Sequence, residues 1–347
     1  MKATIYHGPR DVRVESVPDP AIKHETDVIV RVVNAAICGS DLWPYRGVAE
    51  REAGRIGHEF IGVVEAVGRE TRSVTVGAAV AAPFIYSDGT CDYCQDGLYS
   101  SCRHGGFWGD EDNDGGQGEF VRVPFADGTL RPIPAAVAHD PAKRVSALAL
   151  TDVMSTGHHG CVRAGVQAGR SVAVIGDGAV GLCAVISAKR SGAARIIAIG
   201  HHAGRLALAQ RFGATDVVDS SDADVAAKIV DLTDGGVNSV VEAVGSQATL
   251  DLGVNIARAG GTVSFVGVPH GVGAFSARRL FSENISIAGG LAPTRAYIDE
   301  LMTDVASGKI DPSPIFDLRL PLDRSPEGYA AMDDRSAIKV ILDVSNL

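Results

Sequence analysis

The chain has 347 residues, of which 46% are hydrophobic, 5% aromatic and 21% charged. This composition is that of a globular protein and excludes a disordered chain, and the length predicts two domains. The formal net charge is −10, and no run rich in Lys or Arg offsets it, which argues against nucleic acid or an anionic membrane as a partner. We therefore expect the partners to be small molecules and other copies of the chain.

The lack of a recognisable targeting signal and the spacing of the cysteines predict a reducing compartment. The start of the chain has no apolar core of signal-peptide length. The longest apolar stretch, residues 171–188, is interrupted by an aspartate and three glycines, so it predicts a strand, a turn and a helix rather than a membrane span. Three of the six cysteines lie between positions 91 and 102, which favours metal binding over a disulfide framework. We expect a cytoplasmic protein.

The first part of the chain is predicted to be rich in short strands. Gly, Pro and Asp separate segments of β character at residues 27–33, 59–67, 78–82 and 119–123. This pattern predicts an irregular β-rich unit.

From about residue 170 strands and helices alternate. The predicted strands are residues 171–175, 195–199, 216–218, 239–244 and 262–266. A helix that carries Val180, Cys183 and Ile186 follows the first strand, and helices at 205–212, 224–232 and 249–257 follow the next three. Such alternation predicts a doubly wound parallel sheet with helices on both faces, an α/β fold. Residues 339–344 are predicted to form a last strand that rejoins the first unit.

A glycine-rich motif follows the first of these strands. Gly176, Gly178 and Gly181, with Ala179 and Val180 between them, form G-x-G-x-x-G at the head of a helix. The glycines allow a tight turn and close approach to a pyrophosphate, whose charge is met by the helix N-terminal amides. The motif predicts a dinucleotide site, and the alternative is a turn that only packs the helix on the sheet.

The end of the second predicted strand bears on the choice of nucleotide. An acidic residue there would bind the adenosine ribose hydroxyls, but the position is Gly200, followed by His201, His202 and Arg205. No strand-end carboxylate repels a 2'-phosphate, and several donors can reach one. This predicts a preference for NADP over NAD, the alternative being loss of the acidic residue without a change of cofactor.

A cysteine cluster predicts a zinc-binding loop. Cys91 and Cys94, two intervening residues apart, are followed by Cys102 in a segment rich in Gly and Asp. Thiolates so spaced can converge on one tetrahedral zinc ion, and Asp88 supplies an anionic oxygen for the fourth position.

These motifs together resemble the zinc-dependent medium-chain dehydrogenase/reductase family, the alcohol and polyol dehydrogenases. The resemblance covers essentially the entire chain. In that family four cysteines bind a structural zinc, and Cys91, Cys94 and Cys102 match the last three, whereas Asp88 replaces the first. A harder oxygen ligand is expected to weaken the site, and the alternative is a vestigial loop without metal.

The resemblance also implies a catalytic zinc. Its ligands would be Cys38, His58 and Asp152, the last at a position that other members fill with Cys or Glu. A subset that resembles the bacterial NADP-dependent secondary alcohol dehydrogenases carries Asp there. For Asp152 the alternative is an N-cap for the following helix.

Neighbouring residues take roles from the same resemblance. Glu59 is expected behind the metal as an outer or transient ligand, and Asp41 is expected to accept a hydrogen bond from the other ring nitrogen of His58. Ser40 is the candidate first proton carrier. Trp43 stands where many relatives have a histidine that continues the proton relay. The aromatic residues proposed to line the substrate pocket, with core packing as the alternative, are Trp43, Phe84 and Trp108.

The resemblance predicts a GroES-like catalytic domain of residues 1–152 and 289–347, interrupted by a Rossmann domain of residues 153–288. Zinc would act as a Lewis acid that lowers the pKa of the alcohol and favours hydride transfer to the nicotinamide. The predicted activity is NADP-dependent interconversion of a primary or secondary alcohol with an aldehyde or ketone, in a dimer or tetramer. The alternatives are a polyol or sugar dehydrogenase, a zinc-free quinone reductase and a non-catalytic nucleotide-binding redox or zinc sensor.

Overall fold

The structure, a computed structural model, describes residues 1–109 and 114–345. Contacts divide the chain into two units, one of Met1–Asp152 with the segment that begins at Pro293, and one of Val153–Ala292. Residues 289–292 thus fall with the second unit, whereas the sequence analysis placed them in the first. Within the described ranges no helix combines the length and apolarity needed to cross a bilayer.

The N-terminal part of the first unit consists of short elements. Its strands are β1 (Lys2–Gly8), β2 (Asp11–Ser16), β3 (Val28–Ala36), β4 (Gly54–Arg55), β5 (Glu59–Val67), β6 (Ala79–Ala82), β7 (Ile85–Tyr86), β8 (Gly106–Phe107), β9 (Phe120–Val123) and β10 (Arg131–Pro132). Its helices are α1 (Leu42–Tyr45), α2 (Asp92–Gln95), α3 (Ala126–Thr129), α4 (Ala135–Ala138) and α5 (Pro141–Ala149), with 3-10 turns at Gly39–Asp41 and Tyr99–Ser101.

The second unit alternates strand and helix. Its elements are α6 (Val153–Arg163), β11 (Ser171–Ile175), α7 (Ala179–Arg190), β12 (Arg195–Gly200), α8 (Ala203–Phe212), β13 (Asp216–Asp219), α9 (Val225–Leu232), β14 (Val237–Glu242), α10 (Gln247–Ile256), β15 (Ala257–Phe265), α11 (Ala277–Glu283) and β16 (Ser286–Gly289). The strand order β13-β12-β11-β14-β15-β16, parallel throughout, is that of a Rossmann sheet. The predicted α/β fold class is therefore confirmed.

Two details of the second unit differ from the expectation. Ala257 begins β15 instead of ending the preceding helix, because the strand starts with an irregular pairing to β14 before regular pairing at Thr262. Strand β16 was not predicted, since Ser286–Gly289 is a four-residue edge strand without a clear apolar pattern.

The C-terminal segment completes the first unit. Its elements are α12 (Thr294–Ala306), β17 (Phe316–Pro321), α13 (Ser325–Asp333) and β18 (Lys339–Asp343), with 3-10 turns at Ser313–Ile315 and Leu322–Arg324. Strand β18 pairs antiparallel with β3 in a sheet of order β10-β6-β5-β3-β18-β17, where β9 also pairs with β3. The last segment of the chain therefore lies beside one of its first strands.

A buried histidine of the second unit predicts a pH-dependent stability. His159 of α6 is 6% exposed, and burial together with the charge of Arg163 lowers its pKa to about 4. In the unfolded chain the pKa is near 6.5, so the unfolded state binds more protons between these values. The neutral, buried His159 therefore stabilises the fold fully above about pH 6.5, and this stabilisation is lost as the pH falls toward 4. We expect about 2 kcal/mol of the unfolding free energy to be lost between pH 7.5 and pH 5.0. Urea unfolding at pH 7.5 and pH 5.0 measures it.

Replacing the histidine should remove most of this dependence. His159→Gln is expected to flatten the change in unfolding free energy between the two pH values, whereas His139→Gln, at an exposed position, should leave it as in the wild type. An unchanged pH dependence in His159→Gln would mean that other groups produce it.

Candidate metal centres and nucleotide site

The pairing of two strands brings Cys38 and His58 together. Strands β3 and β5 run antiparallel, and Ala36, the last residue of β3, pairs with Glu59, the first of β5. Cys38 follows that pair by two residues and His58 precedes it by one. Residues that are distant in sequence therefore leave the sheet at the same edge.

Asp152 reaches this edge from helix α5. The helix starts with a strong cap, since the Asp140 carboxylate accepts the backbone N–H groups of Ala142 and Lys143. After the helix, the carbonyl of Thr151 accepts a hydrogen bond from the backbone N–H of Phe84 at 2.9 Å. This bond fixes the chain directly before Asp152.

Three potential ligand atoms converge at this point. Oδ2 of Asp152 lies 3.3 Å from Sγ of Cys38 and 3.3 Å from Nε2 of His58. With Glu59, the four ligand atoms are all within 4.8 Å of one another. Burial, with the Asp152 charge adding to it, raises the pKa of the Cys38 thiol to about 11. Anionic ligands crowded out of water in this way are stabilised by a divalent cation, so the donor set fits zinc.

Behind the ligands lies a buried ion pair that the sequence analysis did not predict. Oε1 of Glu59 is 2.6 Å from Nζ of Lys339, whose ammonium also donates to the carbonyl of Ile37 at 3.2 Å. Both side chains are at most 1% exposed. Although burial disfavours the ammonium, Glu59 raises the pKa of Lys339. A lysine directly before the apolar run Val340–Leu342 of strand β18 was the available signal.

Oε2 of Glu59 is buried and has no hydrogen-bond partner among the described residues. A buried carboxylate oxygen without a donor is costly, and a nearby cation would offset that cost. The position of Glu59 therefore agrees with the expected role beside the metal.

Asp41 and Ser40 lie in the 3-10 turn that follows Cys38. Oδ2 of Asp41 accepts the backbone N–H of Cys38 at 3.0 Å, and its Oδ1 is 3.4 Å from Nδ1 of His58. Burial opposes a charge on His58, but Asp41, Cys38 and Asp152 together outweigh it and raise the pKa of the imidazole. Ser40 is half-buried next to Cys38, and Trp43 lies in the short helix that follows.

The aromatic residues divide between the site and the core. Phe84 is edge-on to the His58 ring at 6.3 Å between centroids. Phe107, which the sequence analysis missed, stacks on Phe84 at 6.5 Å and is 48% exposed. Trp108 is 2% exposed, donates to the carbonyl of Pro83 and packs edge-to-face on Phe60. Trp108 is therefore a core residue rather than part of a pocket wall.

The cysteine loop forms a second cluster. The ligand atoms of Asp88, Cys91, Cys94 and Cys102 all lie within 4.8 Å of one another, with the two sulfurs of Cys91 and Cys102 3.8 Å apart. Burial raises the pKa of the Cys94 thiol. Three thiols and one carboxylate at this spacing fit a tetrahedral zinc ion.

The Asp88 carboxylate has further partners. Its Oδ1 accepts the backbone N–H groups of Thr90 and Cys91, and its Oδ2 is 2.6 Å from Nδ1 of His104. Burial opposes ionisation, but the hydrogen bonds from His104 and from the backbone of Thr90 and Cys91 together outweigh it and lower the pKa of Asp88. His104 was not singled out in the sequence, although it follows Cys102 by two residues. It orients the fourth donor of the cluster.

Substitution of Asp88 tests this cluster. In Asp88→Ala the metal loses an anionic ligand, so transfer of zinc to a chromogenic chelator should be faster by about 10- to 100-fold. Asp92→Ala is the matched control, since Asp92 lies in the same loop but pairs with Arg103 at the surface. Equal release rates in the two variants would show that Asp88 is not a ligand.

The glycine-rich loop between β11 and α7 has the geometry of a phosphate-binding turn. Gly176 has φ +114°, and a Cβ at Gly181 would lie 1.9 Å from the carbonyl oxygen of Gly176. The third glycine thus allows the helix to pack on the turn. Around a Cβ at Gly178, the N-cap of α7, no atom lies within 4 Å, so the helix N-terminus is accessible to a phosphate.

One premise about cofactor choice is corrected by Asp177. Strand β12 does end at Gly200, but a Cβ there would lie 2.5 Å from Oδ2 of Asp177, so a carboxylate from the glycine-rich loop occupies this space. Oδ2 accepts the backbone N–H groups of His201 and His202 at 2.9 and 2.8 Å, and the His202 ring lies 3.0 Å away. The motif places this aspartate between two glycines, which is the signal that the sequence analysis did not use.

The two histidine side chains stay close to one another. Their ring centroids are 3.9 Å apart, and His201 is exposed. Arg205 lies in the first turn of α8, which begins at Ala203. All the residues proposed for 2'-phosphate binding therefore follow the end of β12.

Comparisons with known proteins agree with this architecture. Two family models match, the alcohol dehydrogenase GroES-like domain over residues 24–135 and the zinc-binding dehydrogenase over residues 179–307. A probable zinc-binding alcohol dehydrogenase of Mycobacterium tuberculosis is 37% identical, with 97% of this chain and 86% of the relative covered.

Solved structures give the same result. The alcohol dehydrogenase TADH from Thermus sp. ATN1 is 36% identical with a TM-score of 0.94, and 99% of this chain and 100% of that chain are covered. A putative zinc-binding dehydrogenase from Sinorhizobium meliloti 1021, bound to NADP, is 29% identical with a TM-score of 0.87 and 99% coverage of both chains.

The chain therefore belongs to the zinc-dependent medium-chain dehydrogenase/reductase family, the zinc-type alcohol dehydrogenases. The family resemblance drawn from the sequence is confirmed, as is the combination of a GroES-like and a Rossmann domain. Membership makes the protein an oxidoreductase, and the family implies zinc, a nicotinamide cofactor and small alcohol or carbonyl substrates.

Proposed function

We propose that the protein interconverts a primary or secondary alcohol with the corresponding aldehyde or ketone, using NADP and a zinc ion held by Cys38, His58 and Asp152. The observation that carries this proposal is the convergence of the three ligand atoms, with Oδ2 of Asp152 3.3 Å from both other donors. One thiolate and one carboxylate neutralise a divalent ion, and the neutral imidazole completes three protein ligands. A zinc ion held by these three residues would have a further position for a substrate oxygen.

The chemistry divides between bound groups and the chain. A zinc ion held here would supply a Lewis acid that favours loss of the hydroxyl proton, and a bound nicotinamide would supply the acceptor for the hydride of the carbinol carbon. Per turnover an alcohol and NADP⁺ give a carbonyl compound, NADPH and one proton.

The chain has to orient the ligands and move that proton. Asp41 faces Nδ1 of His58, so it fixes the tautomer in which Nε2 binds the metal. Ser40 is the proposed first acceptor of the proton. It lies between Cys38 and Asp41, which are joined by a hydrogen bond from the Cys38 backbone N–H to the Asp41 carboxylate. Trp43 cannot pass a proton on, so the relay leaves Ser40 by another route.

The aromatic surface beside His58 favours an apolar substrate. Phe84 and the half-exposed Phe107 stack next to the proposed zinc site and offer ring faces rather than hydrogen-bond donors. A polyol would leave its additional hydroxyls without partners against such a surface. We therefore favour a simple or aryl-substituted alcohol over a sugar.

The proposed NADP preference is supported by residues after β12. The Asp177 carboxylate fills the space beside Gly200, so the proposal depends on His201, His202 and Arg205 as potential donors to a 2'-phosphate. The Asp177 charge faces two backbone N–H groups and the His202 ring, which lower its pKa although burial opposes this. A relative of the same fold has NADP bound.

Initial rates test the function and the cofactor separately. A panel of primary, secondary, aryl and polyol substrates is assayed with NADP⁺ and NAD⁺ in parallel, before and after chelation, with zinc content measured. We expect zinc-dependent turnover that is fastest for a secondary or aryl alcohol with NADP⁺. Metal-free protein that still reduces quinones would overturn the zinc mechanism, and a clear preference for NAD⁺ would overturn the cofactor assignment alone.

A further inference from the structure

A fully buried glutamine is hydrogen-bonded to the chain segments that lead to two of the proposed zinc ligands. Gln117 is 0% exposed, and both ends of its amide are hydrogen-bonded. Nε2 donates to the carbonyl of Ala36 at 3.2 Å, and Oε1 accepts from the hydroxyl of Tyr329 at 3.0 Å. Ala36 precedes Cys38 by two residues, so one end of this amide holds the chain that leads to the thiol.

The same residue also holds the turn before His58. The backbone N–H of Gln117 donates to the carbonyl of Ile56 at 3.1 Å, and that of Gly116 donates to the carbonyl of Gly57 at 2.7 Å. Gly57 has φ +93°, and a Cβ there would lie 2.4 Å from Cγ of Gln117. Only a glycine therefore fits between this side chain and the turn.

The strand ladder alone does not hold the two ligands at a defined separation. The pairing of β3 with β5 ends at Ala36 and Glu59, and its register shifts between Val32 and Asn34. Cys38 and His58 both lie beyond the last pair. Gln117 touches both segments that continue from the ladder, and Tyr329 anchors it from helix α13.

We propose that Gln117 is a positioning residue that sets the separation between the Cys38 sulfur and the His58 imidazole, and so the geometry of the metal site. The inference rests on the proposed zinc site. Gln117 acts through Ala36 and Gly57, without contact to the substrate, and it makes the site's geometry depend on the C-terminal segment that carries Tyr329.

Cobalt substitution reports this geometry independently of activity. In the full-length protein loaded with Co²⁺, thiolate charge-transfer and ligand-field bands depend on ligand identity and angles. Gln117→Met keeps the size of the side chain but removes both hydrogen bonds of the amide. We expect it to shift these bands, to speed zinc release by about tenfold or more and to lower kcat more than it raises KM.

Tyr329→Phe is the matched comparison. It removes the hydroxyl that donates to Oε1 but keeps the bond from Nε2 to Ala36, so the same changes should be smaller. If Gln117→Met does not accumulate as folded protein, the same measurements are made on Gln117→Glu. This variant keeps the acceptor for Tyr329 and loses the amide donor to Ala36. The Asp88 cluster contributes equally to the spectra of all variants.

Each outcome separates this inference from the proposed zinc site. A wild-type cobalt spectrum that Cys38→Ser leaves unchanged would overturn the zinc site itself. The positioning role alone would be overturned by a different pair of results. Cys38→Ser would lose bands of the wild-type spectrum, whereas Gln117→Met would keep the bands and the rate of zinc release although its unfolding free energy is lower. Gln117 would then be a packing residue.

Discussion

Replacement of Cys38 by serine is expected to lower kcat/KM for the best alcohol by about a thousandfold and to remove about one zinc ion per chain. A serine hydroxyl stays protonated near neutral pH, so the proposed site loses its thiolate and one of its two negative charges. His58 and Asp152, whose Nε2 and Oδ2 are 3.3 Å apart, then supply only two of the three proposed ligands, so we expect weak zinc binding. Zinc analysis and initial rates on the same preparation measure both effects.

A second buried cysteine provides the control. Cys161 of α6 donates through its sulfur to the carbonyl of Ala184 at 3.3 Å, and a serine hydroxyl can make the same bond. Cys161→Ser should therefore keep wild-type zinc content and turnover. If Cys38→Ser retained its full zinc content and rate, the three-ligand site would be wrong even though the fold is that of the family.

The parts of the fold that were predicted are those with local signals. The glycine-rich turn after β11 and the alternation of strands and helices to β15 depend on residues close in sequence. The candidate ligands Cys38, His58 and Asp152 were named because of the family resemblance, since no local pattern in the sequence connects three residues so far apart. The edge strand β16 has no such pattern, so it was missed.

The residues that were missed act over long sequence distances. Gln117 meets Ala36 and Tyr329, and Lys339 meets Glu59 across 280 positions. A single glutamine or lysine has no periodicity that identifies its partner, and only packing reveals it. Asp177 was missed for a different reason. It lies inside a recognised motif, but the motif was interpreted from its glycines alone.

Lys339→Met is expected to destabilise the protein by about 3–5 kcal/mol, because it leaves the buried Glu59 carboxylate without its counter-charge. The lysine lies 2.6 Å from Oε1 of Glu59, both side chains are at most 1% exposed, and Oε2 has no hydrogen-bond partner within the described part of the chain. Urea unfolding at constant pH gives the change in free energy through the midpoint and slope.

A second substitution distinguishes lost charge balance from lost packing. In Lys339→Met with Glu59→Gln the unpaired charge is absent, so a substantial part of the loss should be recovered. Lys228→Met is the matched control, because its partner Asp222 is 2.8 Å away but both side chains are more than 40% exposed. It should cost less than about 1 kcal/mol. If the double variant were as unstable as Lys339→Met, the lysine would act by filling space and by its bond to Ile37 rather than by balancing the Glu59 charge.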